Sequence, residues 1–217
     1  MKKCDSVILL HGLARTNRSL RKLEGELKHH GFHVINSTYP SRKHNVQKLV
    51  ELTMNEAILK CKNADKIHFV THSMGAILLR SYLKSSPVEN LGRVVMLGPP
   101  NQGSQVVDRL KNLPGFKFIN GPAGMQLGTN VDDLPKTLGA VDYDVGVIAG
   151  SKSVNFILSM MLPGPNDGKV SVESTKLAGM SDHIVLPVTH PFMMKNDDVI
   201  SQVLHYLRNG SFDASRF

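Results

Sequence analysis

Cysteine is scarce in this chain of 217 residues: there are two, Cys4 and Cys61. They form neither a Cys-x-x-Cys pair nor a dense spacing, which argues against a disulfide framework and a structural zinc site. No apolar run approaches the roughly 18 residues that a membrane span needs. The run near the start, Val7 to Leu10, is bracketed by Asp5 and His11 and is too short for a signal peptide. The expectation is a cytoplasmic protein with reduced thiols and no transmembrane segment. The 10 histidines form no His-Glu-x-x-His and no paired Cys/His spacing, so no metal is expected. No glycine-rich phosphate loop or Walker lysine follows the first apolar run, so no cofactor is expected either. Acid is also in short supply, 18 Asp and Glu against 26 Lys and Arg, for a net charge of +8. That balance favours anionic partners without implying nucleic acid.

What remains is a globular composition, 41% hydrophobic and 20% charged, in a length that suits one domain over residues 1–217. Short apolar runs alternate with stretches of helical spacing. Strands are expected at Ser6–Leu10, Phe32–Ile35, Lys66–Thr71, Arg93–Leu97, Val145–Ala149 and His183–Val188. Helices are expected between them and over Asp198–Arg208. Strands alternating with helices, the early ones continuously apolar, describe an α/β fold with a parallel sheet covered on both faces. Residues 112–144 and 151–181 break the alternation and read as long loops shaping a pocket. In an open sheet of this kind, ligands sit beyond the carboxyl ends of the strands.

One such end carries Thr71-His72-Ser73-Met74-Gly75, between the third strand and an apolar helix. This is the setting of a nucleophile elbow, where a sharp turn pushes a serine oxygen out at the sheet edge. Small residues are wanted two before and two after the serine; Gly75 meets the second demand and Thr71 departs from the first. A serine needs a base and an orienting acid. His190 follows the sixth strand and reaches the same edge. Asp167, in Asn166-Asp167-Gly168, follows the fifth; Asp-Gly is also an ordinary turn signal. Asp142, Asp144 and Asp182 precede strands and belong to the opposite end. An oxyanion hole would take one N–H from Met74 and one from the loop after the first strand, Leu13 first and Ala14 second.

Leu10-His11-Gly12-Leu13, Thr71-His72-Ser73-Met74-Gly75, Asn166-Asp167-Gly168 and His190 together resemble the lipase-type α/β-hydrolases. The likeness is strongest to small bacterial serine esterases and lipases, and more distant to the lipase-like enzymes that deacylate GPI anchors. It implies a six-stranded, mostly parallel sheet of order 2-1-3-4-5-6 and a cofactor-independent Ser-His-Asp ester hydrolase. Acyl transfer or thioester hydrolysis would use the same triad, and a non-catalytic binding module could occupy the same scaffold. The substrate is expected to be a small-molecule or lipid ester; the oligomeric state is left open.

Two further groups bear on substrate. Residues 154–162 hold an apolar cluster in which Phe156 and Met160 are candidates for contact with an acyl chain, if the segment is a flap rather than a core helix. Arg15 and Arg18 lie in the loop after the first strand, and Arg42 and Lys43 in the loop after the second. With those strands adjacent they would form a basic rim, suited to an anionic substrate or to peripheral contact with an anionic surface.

Overall fold

Strands in the order β2-β1-β3-β4-β5-β6, all parallel, make one twisted sheet in the computed structural model, which describes residues 4–154 and 156–216. They are β1 (Ser6–Leu10), β2 (His33–Ser37), β3 (Ile67–His72), β4 (Leu91–Leu97), β5 (Val145–Gly150) and β6 (Asp182–Leu186). The register brings Leu10 beside Thr71, His72 beside Leu97, Leu97 beside Ile148 and Gly150 beside Leu186. Ser37 likewise lies beside Leu10, so the carboxyl ends of all six strands meet along one edge.

The two-residue period of a strand divides the apolar runs between two layers. Ile8, Leu10, Phe69, Val94, Met96 and Val147 face α2 (Val46–Leu59) and α3 (Met74–Ser85). Val7, Leu9, Val70, Val95, Leu97 and Ile148 face α1 (Arg21–His29) and α9 (Asp197–Asn209). Capping fixes where the helices begin. Asn45 Oδ1 accepts from Lys48 N–H at 2.9 Å at the head of α2, and Asn196 Oδ1 from Val199 N–H at 3.0 Å at the head of α9. Among the described residues, no helix is long and apolar enough to cross a membrane.

The stretch expected as a loop over residues 112–144 is partly helical. After α4 (Gln105–Leu110) come α5 (Phe116–Met125) and α6 (Leu134–Thr137). Gly121, at φ +66°, and Pro122 break α5 in the middle, which hides its helical period in the sequence. A Cβ on Gly121 would lie 2.0 Å from the Arg42 carbonyl oxygen, so glycine is what lets α5 lie against the loop after β2. Arg80 of α3, itself buried, holds this region: its guanidinium donates to the carbonyls of Asn101, Pro135 and Gly139 at 3.1, 3.2 and 2.7 Å. Residues 151–181 likewise contain α7 (Phe156–Ser159) and α8 (Val172–Thr175), each a single turn.

Candidate active site

Ser73 stands between β3 and α3 with φ +54° and ψ −124°, a left-handed conformation that costs a residue other than glycine about 1–3 kcal/mol. Its surroundings enforce the turn. Ser73 N–H donates to the Leu97 carbonyl at 2.9 Å, tying the elbow to β4. Gly75 abuts the end of β1, where a Cβ would come within 2.5 Å of the Leu10 carbonyl oxygen. Thr71 is buried in β3, and its hydroxyl finds no partner among the described residues.

The Ser73 hydroxyl lies 3.0 Å from His190 Nε2, and His190 Nδ1 lies 2.7 Å from Asp167 Oδ2. His190 is 4% exposed and Asp167 1%, so water competes little for these contacts. Asp167 keeps both its roles, turn residue and histidine partner. Its Oδ1 accepts from the N–H groups of Lys169 and Val170 at 2.9 and 2.8 Å, and its backbone carbonyl accepts from His190 N–H at 3.0 Å. One short turn thus fixes the carboxylate and the histidine backbone together. Gly98, at the end of β4, makes the room: a Cβ there would sit 2.9 Å from Asp167 Oδ2. The aspartates set aside by position are occupied elsewhere. Asp144 binds Arg93 and Tyr206, and Asp182 accepts from Phe212 N–H at 2.7 Å.

The loop after β1 is held by a second histidine. His11 is buried and stacked on Tyr39, ring centroids 3.9 Å apart. Its Nδ1–H donates to the Gly12 carbonyl at 2.9 Å, and the Tyr39 hydroxyl donates to the His11 carbonyl. Burial pushes the His11 imidazole below its usual range, so it stays neutral. The Ala14 N–H is taken by Ser41 Oγ at 3.0 Å. Among the described residues, the N–H groups of Leu13 and Met74 have no acceptor, and Met74 opens α3, where none is available within the helix.

Sequence reasoning passed over His72 as a spacer inside the pentad. It is buried, and Nε2–H donates to the His190 carbonyl at 3.1 Å. Desolvation first, then the nearby His190, hold its pKa well below 6.5. Gly12 packs over it, so close that a Cβ would fall 2.9 Å from His72 Nδ1. A neutral, fixed imidazole therefore backs both the loop after β1 and the backbone of His190.

Ser73 and His190 open into a cavity of about 300 Å³, with Val107, Leu110, Phe116, Ile119, Leu127 and Leu158 among its apolar walls. Residues of both long connections contribute to it. From the segment expected to border an acyl chain, Leu158 lines the cavity, whereas Met160 is 69% exposed and does not. Leu158, in the single turn of α7, points inward, and Met160, just past that turn, points out. The Phe156 side chain lies outside the described residues. Ile157 is also exposed, so this segment is a surface turn and not a core helix. Arg15 lines the same cavity; Arg42 and Lys43 line a neighbouring cleft of about 470 Å³. Lys169, read in the sequence only as part of the Asp-Gly turn, also reaches the cavity wall. Among the described residues, no group of three His, Cys, Asp or Glu side chains is arranged to hold a metal ion.

No protein-family model matches the chain, and no curated protein matches it by sequence. Solved structures do. A mature lipase of Bacillus licheniformis superposes with a TM-score of 0.72 at 18% identity, over 93% of this chain and 91% of that one. Lipase B of Aspergillus fumigatus gives 0.73 at 18% identity, over 99% of this chain and 55% of the fungal one. An esterase of Pyrococcus furiosus gives 0.64 at 16%, over 95% and 81%. At such identities the likeness establishes architecture, and with the parallel sheet order 2-1-3-4-5-6 this chain has the α/β-hydrolase fold, in the form seen in those lipases.

Proposed function

We propose that the protein hydrolyses carboxylic esters through an acyl-enzyme on Ser73. The observation that carries this reading is the unbroken chain Ser73–His190–Asp167, at 3.0 and 2.7 Å, at the mouth of an apolar cavity. His190 Nε2 takes the Ser73 proton as the hydroxyl oxygen attacks the acyl carbonyl. Asp167 holds the imidazole with Nδ1 protonated and stabilises the cation that forms. The carbonyl oxygen, now carrying negative charge, is met by the free N–H groups of Leu13 and Met74, with the N-terminus of α3 adding its positive end. His190 then protonates the departing alcohol. Water, activated by the same imidazole, attacks the acyl-enzyme and releases the acid. The lipase and esterase relatives in architecture are consistent with this chemistry.

The test is a panel of p-nitrophenyl esters from acetyl to palmitoyl, run on the parent protein and on Ser73→Ala. Turnover of at least one ester, lost in a folded Ser73→Ala protein, is the expected result. Equal turnover by both proteins would remove Ser73 from the reaction.

A further inference from the structure

The apolar cavity and the neighbouring basic cleft share one wall, Arg15. On the cavity side it is joined by Lys169. On the cleft side it is joined by Arg42 and Lys43. All four residues are exposed, and none has an ion-pair partner among the described residues. Among the described residues, no Asp or Glu lines the cavity or the cleft. The nearby Asp167 carboxylate is spent on His190 and two backbone N–H groups. On α2 and at its C-cap, by contrast, Lys48 and Lys60 each sit 2.6 Å from a glutamate.

Two cations without an ion-pair partner line the cavity beside Ser73 and two more line the adjoining cleft, an arrangement of one sign of charge that favours a bound anion. The ester-hydrolase reading determines which part of the substrate meets them. The acyl chain takes the apolar cavity, and the carbonyl lies at Ser73. The alcohol part is left facing Arg15 and Lys169. We propose that these two residues, with Arg42 and Lys43 behind them, form an anion subsite, and that the alcohol part of the substrate carries a phosphate. Arginine offers a planar fork that matches two phosphate oxygens, and lysine adds a point charge. The phosphate ester itself is not cleaved: water and the acyl ester give a carboxylic acid and the phosphorylated alcohol. The inference rests on the ester-hydrolase reading and adds the substrate class to it.

Two soluble substrates separate the terms: hexanoylglycerol phosphate and hexanoylglycerol, which share an acyl group. The expected kcat/KM ratio is about tenfold or more in favour of the phosphate at low salt, shrinking at about 1 M salt, where the Debye length is only about 3 Å. Arg15→Gln with Lys169→Gln should bring the ratio toward parity, whereas Lys62→Gln, on a remote surface, should leave it at the parent value. Using a ratio cancels any general effect of the substitutions on the triad. A parallel pair, palmitoylglycerol phosphate and palmitoylglycerol in neutral vesicles, distinguishes the source of the phosphate. Preference in both pairs indicates a site that also accepts a lipid headgroup, and preference in the soluble pair alone indicates a soluble phosphate ester. Parity in the soluble pair overturns the subsite, even if vesicles show a preference, because the cations would then be acting on the membrane surface. If neither ester is turned over, the p-nitrophenyl panel decides the hydrolase reading separately, and calorimetric binding of hexanoylglycerol phosphate decides the subsite: binding lost in the double variant supports it, and no binding to the parent overturns it.

Discussion

Asparagine in place of Asp167 isolates orientation from everything else in the site. The substitution is nearly isosteric, so the buried turn keeps its packing. The two backbone donors, Lys169 N–H and Val170 N–H at 2.9 and 2.8 Å, still require an acceptor, and they will hold the amide oxygen. That leaves the amide NH₂ aimed at His190 Nδ1, where the carboxylate Oδ2 now sits at 2.7 Å. An NH₂ group cannot accept the Nδ1 proton. His190 must move its proton to Nε2 and present a donor, not an acceptor, to Ser73. The base is lost by tautomer, and the charge that steadies the imidazolium is lost with it. The analogous change in a serine protease costs on the order of 10⁴ in kcat, or about 5.5 kcal/mol of transition-state stabilisation at about 1.4 kcal/mol per factor of ten. The assay is kcat on a p-nitrophenyl ester near neutral pH, with the melting temperature measured alongside. Asp182→Asn serves as the control, since its carboxylate caps Phe212 N–H at the far end of the sheet. A folded Asp167→Asn protein within tenfold of the parent would refute the reasoning, as would an Asp182→Asn protein that lost activity instead.

Other outcomes follow from neighbouring geometry. Gly75→Ala places a Cβ 2.5 Å from the Leu10 carbonyl and 3.0 Å from that of His11, both immobile backbone; it should cost about 3 kcal/mol in urea titration and disable turnover, and a loss below about 1 kcal/mol would contradict the packing. Burial holds His11, His68, His72 and His183 below 6.5, so the unfolded chain binds more protons in mild acid. Their contribution is present above the unfolded pKa and is lost as pH falls through it toward the folded values; the melting temperature should drop between about pH 7 and 5, less steeply in His72→Gln, which keeps a donor for the His190 carbonyl. Within the cavity, each added acyl methylene should raise kcat/KM about fourfold until the apolar walls are filled, at about 0.8 kcal/mol per buried CH₂. Leu158→Ala should move the preferred chain length upward and Met160→Ala should not; the opposite pattern would show that the acyl group lies outside this cavity.

The sheet was legible because early strands carry continuous apolar runs, and a run such as Val7-Ile8-Leu9-Leu10 must be covered on both faces. Ser73, Asp167 and His190 were legible by position: each follows a strand, and the structure brings them into one hydrogen-bonded chain. The misses have local causes. α5 was concealed because Gly121-Pro122 interrupts its period, although the same glycine is needed for contact with the Arg42 carbonyl. Met160 and Leu158 are equally apolar as text, and only their places, Leu158 within α7 and Met160 just beyond it, separate them. His72 acts through the His190 carbonyl and Gly98 by leaving room for the Asp167 carboxylate, and no local pattern reports such contacts. Lys169 was hidden by a stronger signal beside it, the Asp-Gly turn.

The central claim is that Ser73 is a nucleophile activated by His190, and it can be tested without knowing the substrate. A fluorophosphonate probe forms a covalent bond only with an activated serine. Intact mass and peptide mapping after brief exposure should show a single adduct, located on Ser73, absent in Ser73→Ala and greatly slowed in His190→Ala. A folded parent protein that takes up no probe, or carries it on another serine, would contradict the account.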